Sequence, residues 1–218
     1  MDQRIIDLIE DSCLNPDDKF NLLLVVDGVR PAASMEMNST SWQKDTPTRL
    51  IEQRDIDALI EVITLAGLVY DIQRETVERK IGRPGAIRHK IMEVVMIQVA
   101  RDEKLLKILV ESIGLATDPY ALGIALGYPK TAVEGFVANK KLSVQDMPIE
   151  YQIQPRVQFI WIVLSQDYWQ DELLELEQWS ERVYVLSRSI YWDAYRVKSC
   201  VDYDLAIKLK DRLVIHKI

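Results

Sequence analysis

The residues best suited to chemistry lie where one apolar helical stretch stops and another starts. Gly127 can end the first stretch, and Pro129 can begin the second without losing a hydrogen bond. The amides that follow would point out of a helix N-terminus, beside the Lys130 ammonium and the Thr131 hydroxyl. The spacing predicts a pocket for phosphate or carboxylate, with Tyr128 beside it. The alternative is that Tyr128 and Pro129 form a simple corner between two packed helices.

A second cluster carries six basic residues and no acid between positions 79 and 90. It surrounds an Arg-Pro-Gly turn at 83–85 and could bind the phosphates of a nucleotide or of an RNA backbone. A charge run is also typical of a solvated hairpin tip, and this alternative stays open. An anion pocket formed by both clusters and Arg30 would use Tyr128, Lys130, Thr131, Arg30, Arg83, Arg88 and His89, with Arg79, Lys80 and Lys90 in the same basic run.

The stretch around 118–138 also fits a helix-turn-helix frame. Leu122 and Leu126 would face inward on the first helix, and Val133 and Phe136 would anchor the second. Basic residues between 130 and 141 could then meet nucleic-acid phosphates. A nucleic-acid-binding regulator is therefore an alternative function, although an acid in the second helix and the acidic chain argue against it.

Enzyme signatures are sparse. The sequence contains no G-x-S-x-G elbow, P-loop or G-x-G-x-x-G motif. Asp27 follows an apolar run and precedes Gly28, so it is the best catalytic hypothesis for an α/β fold, although a turn-forming role explains it equally well. With two histidines and with Cys13 and Cys200 far apart, we expect no metal site. Neither a catalytic set nor a cofactor is assigned.

The composition is that of an ordinary globular protein. The 218 residues are 48% hydrophobic and 28% charged, as in ordinary globular proteins. A net charge of −7 disfavours general affinity for nucleic acid or an anionic membrane. We expect a soluble, cytoplasmic protein that binds no membrane, with an anionic small molecule as its partner and a homo-oligomer as a possible assembly.

Hydrophobic periodicity predicts an α/β fold: a mixed sheet flanked by helices, with a helix-turn-helix-like insertion near 118–138. We expect a single domain over 1–218, in which 118–150 could form a helical subdomain. The predicted strands are 22–26, 32–37, 69–81, 91–99 and 157–164, and the main predicted helices are 2–12, 49–66, 103–113 and 168–196. Helix starts are predicted at the capping residues Thr48, Asp102 and Asp118, and a helix end at Gly67.

Two segments carry a family resemblance. Residues 126–136, with their Gly-Tyr-Pro motif, resemble a little-characterised group of archaeal and bacterial proteins, and residues 23–31 resemble the N-terminal part of that group. In the group, Gly-Tyr-Pro is followed by one residue and two cysteines. Thr131 and Ala132 stand at those positions here, so the resemblance implies that any thiol or metal chemistry of the cysteines is absent or altered.

Overall fold

The computed structural model describes residues 1–38, 51–81, 88–112, 118–143, 146–152 and 163–201. The chain divides into two compact units, 1–127 and 128–218, and each is described by itself. The prediction of one domain over 1–218, with a helical subdomain at 118–150, stays a prediction. No helix in these ranges is both long enough and apolar enough to cross a membrane.

The first unit contains five helices and three strands among its described residues. Its elements are α1 (Gln3–Asp11), α2 (Pro16–Val26), β1 (Ala32–Asn38), α3 (Gln53–Leu65), β2 (Val69–Ile81), β3 (Arg88–Ala100), α4 (Glu103–Ser112) and α5 (Pro119–Ala125). The second unit contains α6 (Lys130–Val137), β4 (Lys141–Leu142), α7 (Ile149–Gln152), β5 (Leu164–Ser165), α8 (Trp169–Leu186) and α9 (Arg188–Val201).

The sheet of the first unit has the order β1-β3-β2, and both of its strand pairs are antiparallel. The combination of helices and sheet confirms the predicted α/β class. The expected mixture of parallel and antiparallel pairs is not seen, because the strand pairs among the described residues are all antiparallel.

The long β2–β3 pairing extends beyond β1. β1 pairs with β3 only from Ala100 to Val94, whereas β2 continues along β3 as far as the pair of Ile81 with Arg88. Within the described residues, positions 88–93 of β3 therefore pair with β2 alone. We call this two-stranded section, 76–81 with 88–93, the arm.

Both faces of the sheet contribute to the core. On one face Ala32 and Ala100 pack with Leu106 and Leu109 of α4 and with Ala125 of α5. Strand alternation places the neighbouring positions on the opposite face, where Ala33, Met35, Met37, Val95, Ile97 and Val99 are all buried.

The prediction of a strand at 22–26 is wrong, because these residues belong to α2. Asn15 accepts a hydrogen bond from the Asp18 amide at 2.9 Å, and Pro16 occupies the first turn. The residues from Leu22 to Val25 are buried without a break, so the run shows no helical periodicity. A short apolar run of this kind cannot distinguish a buried strand from a buried helix.

Local signals predicted several element ends correctly. The Leu105 amide donates to the Asp102 carboxylate at 2.9 Å at the start of α4, and the Tyr120 amide donates to Asp118 at 3.0 Å at the start of α5. Gly67 ends α3 with a φ of +68°. At the start of α3, Glu52 and Asp55 form a capping box, and the expected cap at Thr48 lies outside the described residues.

In the second unit, the helix predicted over 168–196 is two helices separated at Ser187. This residue is extended, with φ −148° and ψ 105°, and its hydroxyl accepts from the Ile190 amide at 3.0 Å. It therefore starts a new helix rather than continuing α8. Of the strand predicted at 157–164, only Val163 and Leu164 fall within the described residues; Leu164 and Ser165 form β5, which pairs with β4.

Candidate anion-binding site

The arm brings most of the basic cluster together. Its register places Arg79 opposite Lys90 and Lys80 opposite His89, and the next rung pairs Ile81 with Arg88. Two consecutive rungs therefore set basic residues directly across from each other. In the Arg79–Lys90 rung both residues carry a formal charge, and like charges at opposed positions destabilise an antiparallel pair, since their Cβ atoms lie about 5 Å apart.

Basic residues are concentrated at positions 79–90, although the arm also includes the acids Glu78 and Glu93. Five lysines and arginines lie between positions 79 and 90, and removing their charge from the net −7 of the chain leaves −12 for the remainder. Of the predicted ligand-binding residues, Arg88 and His89 occupy these rungs, whereas Arg83 lies outside the described residues. The arm itself carries four lysines and arginines and two glutamates, so its formal charge is +2 in an acidic protein.

The start of α6 is the second predicted anion site. Pro129 precedes the helix, and no side chain caps its first turn. At the start of each of the helices α1, α2, α4 and α5, a side-chain oxygen accepts a hydrogen bond from a backbone amide of the first turn. Lys130 and Thr131 lie in the uncapped turn, but the Lys130 ammonium is 3.5 Å from the Glu134 carboxylate, and Tyr128 is half-buried.

The arm belongs to the first unit and the start of α6 to the second. A joint pocket of both clusters stays a prediction. The helix-turn-helix hypothesis also stays a prediction, and the division of the chain separates its two helices, α5 and α6, into different units.

Arg30 has a structural role that the sequence did not indicate. Its side chain is only 3% exposed, and its Nε and Nη2 atoms donate to the Leu126 carbonyl oxygen at 2.9 and 2.7 Å. Nη1 donates to the Asn21 side chain. The guanidinium thus ties α2 to the carbonyl end of α5, and its place in a ligand site stays a prediction without support from these contacts.

Next to Arg30, the backbone at Gly127 approaches Pro31 closely. Gly127 has a φ of +77°, and a Cβ on it would lie 2.4 Å from the Pro31 Cδ. The turn at 28–31 and the end of α5 therefore meet within the first unit. These are parts of the two segments that carried the family resemblance.

Asp27 does not occupy the position assumed for a catalytic residue. It follows the helix α2 and caps its C-terminal end, with its amide donating to the Leu23 carbonyl at 2.9 Å. The expectation of catalysis depended on a preceding strand, because α/β sites collect at the carboxyl ends of strands. Because Asp27 follows a helix and not a strand, this reason for a catalytic role does not apply. No group of three or more His, Cys, Asp or Glu side chains in the described part of the chain could hold a metal ion.

Comparisons with protein-family models, with curated proteins and with solved structures find no match to this chain. The family resemblance therefore stays a prediction.

Asp18 is a buried carboxyl group that the sequence did not single out. Its Oδ2 accepts from the Glu36 amide of β1 at 3.1 Å and from the Asn15 side-chain amide at 2.5 Å. The pKa of Asp18 is raised from its ordinary 3.8 to about 7. Burial is the largest cause, and the nearby acids Asp17 and Glu36 add to the increase, while the hydrogen bonds from the Glu36 amide and the Asn15 side chain oppose it. An aspartate at the start of a helix is an ordinary capping signal, so only its packing against β1 makes it unusual.

A second buried carboxylate organises the other unit. The Glu172 side chain accepts from the Ser165 amide at 2.7 Å and from the Ser165 hydroxyl at 2.6 Å. Gly135 of α6 lies against Ser165, since a Cβ on Gly135 would be 2.7 Å from the Ser165 Cβ. These contacts join α6, β5 and α8, and both bonded side chains are buried, so their role is structural.

Aromatic side chains line the junction of α8 and α9. Tyr184, Tyr191, Trp192 and Tyr195 make successive edge-to-face contacts with ring centres 5.1, 5.2 and 5.5 Å apart. The Arg188 guanidinium lies over the Tyr184 ring at 5.3 Å from its centre. Trp192 is 47% exposed and Val185 73% exposed. We call Tyr184, Val185, Arg188 and Trp192 the aromatic corner.

Proposed function

We propose that this protein is a binding module for an anionic, phosphate- or carboxylate-bearing ligand, and that the arm is its main binding element. The observation that carries this proposal is the register that sets Arg79 against Lys90 and Lys80 against His89. A binding role accounts for a charge arrangement that lowers the stability of the ribbon itself.

The energetics support an anion at this place. Like charges on opposed residues repel, by about 1 kcal/mol in water if the charged groups come within about 4 Å of each other. An anionic group bound beside such a pair replaces repulsion with attraction and forms hydrogen bonds to charged donors, which are about twice as strong as neutral ones. The remaining charge of −12 repels the same anion, so binding is confined to the arm.

Neutralising one rung should weaken anion binding. We expect the double variant Arg79→Gln/Lys90→Gln to bind tripolyphosphate at least tenfold more weakly than the unaltered chain, measured by isothermal titration calorimetry at low salt. A matched control is Lys104→Gln/Lys107→Gln, which removes the same charge from exposed positions of α4 in the same unit. Equal losses in the two double variants would show a general charge effect and contradict the proposal.

A second candidate function is protein interaction through the aromatic corner. Tyrosine, tryptophan and arginine are the residues most enriched among interface residues that dominate binding energy. Tyr184, Val185 and Trp192 are 37%, 73% and 47% exposed, and exposed apolar patches mark protein–protein interaction sites. The occupant that we propose is a second copy of the chain.

Charge introduced into the corner should dissociate such a dimer. We expect Trp192→Glu to weaken self-association at least 30-fold, because a central interface tryptophan contributes about 2 kcal/mol or more. Sedimentation equilibrium measures the change. The control is Leu174→Glu, because Leu174 is an exposed apolar residue of α8 that lies outside the corner. A monomeric unaltered chain, or equal effects of the two variants, would remove this candidate.

A further inference from the structure

We infer that the face of the sheet that packs against α4 holds a site for a primary ammonium group, formed by Ser34, Asp71 and Gln98. The site is separate from the arm, and its ligand carries the opposite charge, so it goes beyond the proposed function. Three observations carry this inference: the row in which the residues lie, a buried oxygen without a partner, and the charge of the surrounding face.

The three residues form one row across the three strands of the sheet. The register sets Ser34 of β1 opposite Gln98 of β3, and Gln98 opposite Asp71 of β2. Directly opposed residues project from the same face, with Cβ atoms about 5 Å apart. The adjacent row on this face packs against α4 and consists of Ala32, Ala100 and Val69. The polar row is therefore the next one along the face from that apolar contact.

Gln98 provides the observation that indicates a ligand. The residue is only 1% exposed, and its Nε2 atom donates to the Ser34 Oγ atom at 3.0 Å. Its Oε1 atom has no hydrogen-bond partner among the described residues. A buried acceptor without a donor has lost the hydrogen bonds that it makes to water in the unfolded chain. Because the nitrogen of the planar amide is bonded toward β1, the oxygen is left for a donor on the face that it shares with Asp71.

Asp71 supplies a negative charge beside this oxygen. Its carboxylate is half-buried and accepts from the Gln73 side chain at 3.0 Å, which leaves further lone pairs for a second donor. Glu36 and Glu75 lie on the same face by register. No lysine or arginine occupies the positions of this face within 32–38, 69–75 and 94–100, so three carboxylates give these positions a formal charge of −3. The face therefore attracts a cation.

The acceptors suit an ammonium group better than a metal ion. A primary ammonium has three N–H donors and no acceptor, and the row has three acceptors: the Gln98 oxygen, the Asp71 carboxylate and the second lone pair of the Ser34 hydroxyl. Calcium takes about six to eight oxygen ligands. A donor between Gln98 and Asp71 would satisfy the buried oxygen and form a charge-assisted hydrogen bond to the carboxylate.

The row can be reached from solvent. Ser34 is exposed and Asp71 is half-buried, so a ligand meets the carboxylate first. The Gln98 oxygen is enclosed, and contact with it requires neighbouring side chains to move. Gln73 and Met96, which oppose each other in the next row, are half-buried and have unbranched side chains with several rotatable bonds. We therefore expect the site to admit a small aliphatic amine.

The test is a titration of the isotope-labelled full chain with n-butylamine at pH 7 and constant ionic strength, followed by two-dimensional NMR. We expect saturable shifts of the Gln98 side-chain amide and of the Ser34 and Asp71 backbone amides, with a dissociation constant of about 10 mM or below. Tetramethylammonium has the charge but no N–H donor, so it should bind at least about tenfold more weakly. Equal binding of the two cations, or no saturable shift with n-butylamine, overturns the inference.

A second ligand distinguishes two sources of the same group. Nα-acetyl-lysine amide presents the ammonium as a lysine side chain of a partner would, whereas n-butylamine represents a free amine. Binding of either compound to the row supports the inference, and the compound that binds more tightly identifies the source.

Asp71→Asn removes the charge but keeps a side chain of the same shape. We expect it to weaken n-butylamine binding at least about tenfold, because a hydrogen bond to a charged group is about twice as strong as a neutral one. The matched control is Asp57→Asn, since the exposed Asp57 of α3 also accepts from a glutamine side chain, at 2.7 Å. Equal weakening by the two variants would show a general charge effect and overturn the inference.

Gln98→Met separates a ligand site from a structural role. Methionine has nearly the same length and leaves no buried amide oxygen unsatisfied, so this variant should unfold at the same urea concentration as the unaltered chain or at a higher one. It should nevertheless bind n-butylamine at least about fivefold more weakly. Unchanged binding overturns the inference at any unfolding midpoint. None of these variants alters the arm, so unchanged tripolyphosphate binding in them keeps the failure of this inference distinct from failure of the proposed function.

Discussion

Asp18→Asn should make the protein more stable at pH 8 and remove most of the pH dependence of its stability between pH 4.5 and 8. The folded pKa of about 7 lies above the ordinary value of 3.8, so the folded state holds this proton more tightly than the unfolded state. The resulting stability is fully present below pH 3.8 and is lost as the pH rises to 7. The total loss is on the order of 4 kcal/mol, of which about 3 kcal/mol falls within the measured range.

Urea unfolding at several pH values measures this effect. Asparagine is neutral at every pH, and its amide oxygen can still accept from the Glu36 amide, so the variant should show a nearly flat profile. Asp118→Asn is the matched control, because Asp118 caps α5 in the same unit but is exposed. If Asp18→Asn keeps the slope of the unaltered chain, the buried carboxyl does not cause the pH dependence.

Gly127→Ala should destabilise the first unit by roughly 2 to 4 kcal/mol. A φ of +77° costs an alanine about 1 kcal/mol, and the contact at 2.4 Å with the Pro31 ring adds the cost of overpacking, typically 1 to 3 kcal/mol. The Pro31 ring is part of the backbone and cannot rotate away as a flexible side chain would.

Gly67→Ala separates these two costs. Gly67 has a similar φ of +68°, but nothing lies within 4 Å of its added Cβ. We expect it to cost only the conformational part, about 1 kcal/mol, in the same urea unfolding experiment. Equal costs for the two alanines would mean that the end of α5 moves away from Pro31 without loss.

The features that could be predicted from the sequence were those with local causes. A capping carboxylate at Asp102 or Asp118 and a glycine at Gly67 act on the adjacent helix turn, so the residue type alone indicates the helix end. Strands β1, β2 and β3 carry alternating or continuous apolar patterns around turn residues.

The features that could not be predicted depend on contacts between distant segments. Arg30 reaches a carbonyl 96 positions away, and Asp18 is buried against a strand 18 positions away. The burial of α2 on several sides removed the periodicity that would have distinguished it from a strand. For the candidate site, the basic residues could be predicted, but the opposition of Arg79 and Lys90 requires the register of the pairing.

The opposed basic residues of the arm also bear on how copies of this protein behave toward each other. Among the described residues, no further strand pairs with the arm, and a ribbon of two strands offers backbone donors and acceptors along its edges, where another chain can add a strand. Positive charge on successive rungs makes the approach of an identical ribbon unfavourable. The arrangement that lowers the stability of the arm thus protects the chain against edge-to-edge aggregation, and neutralised arm variants need a check by light scattering before their binding is compared.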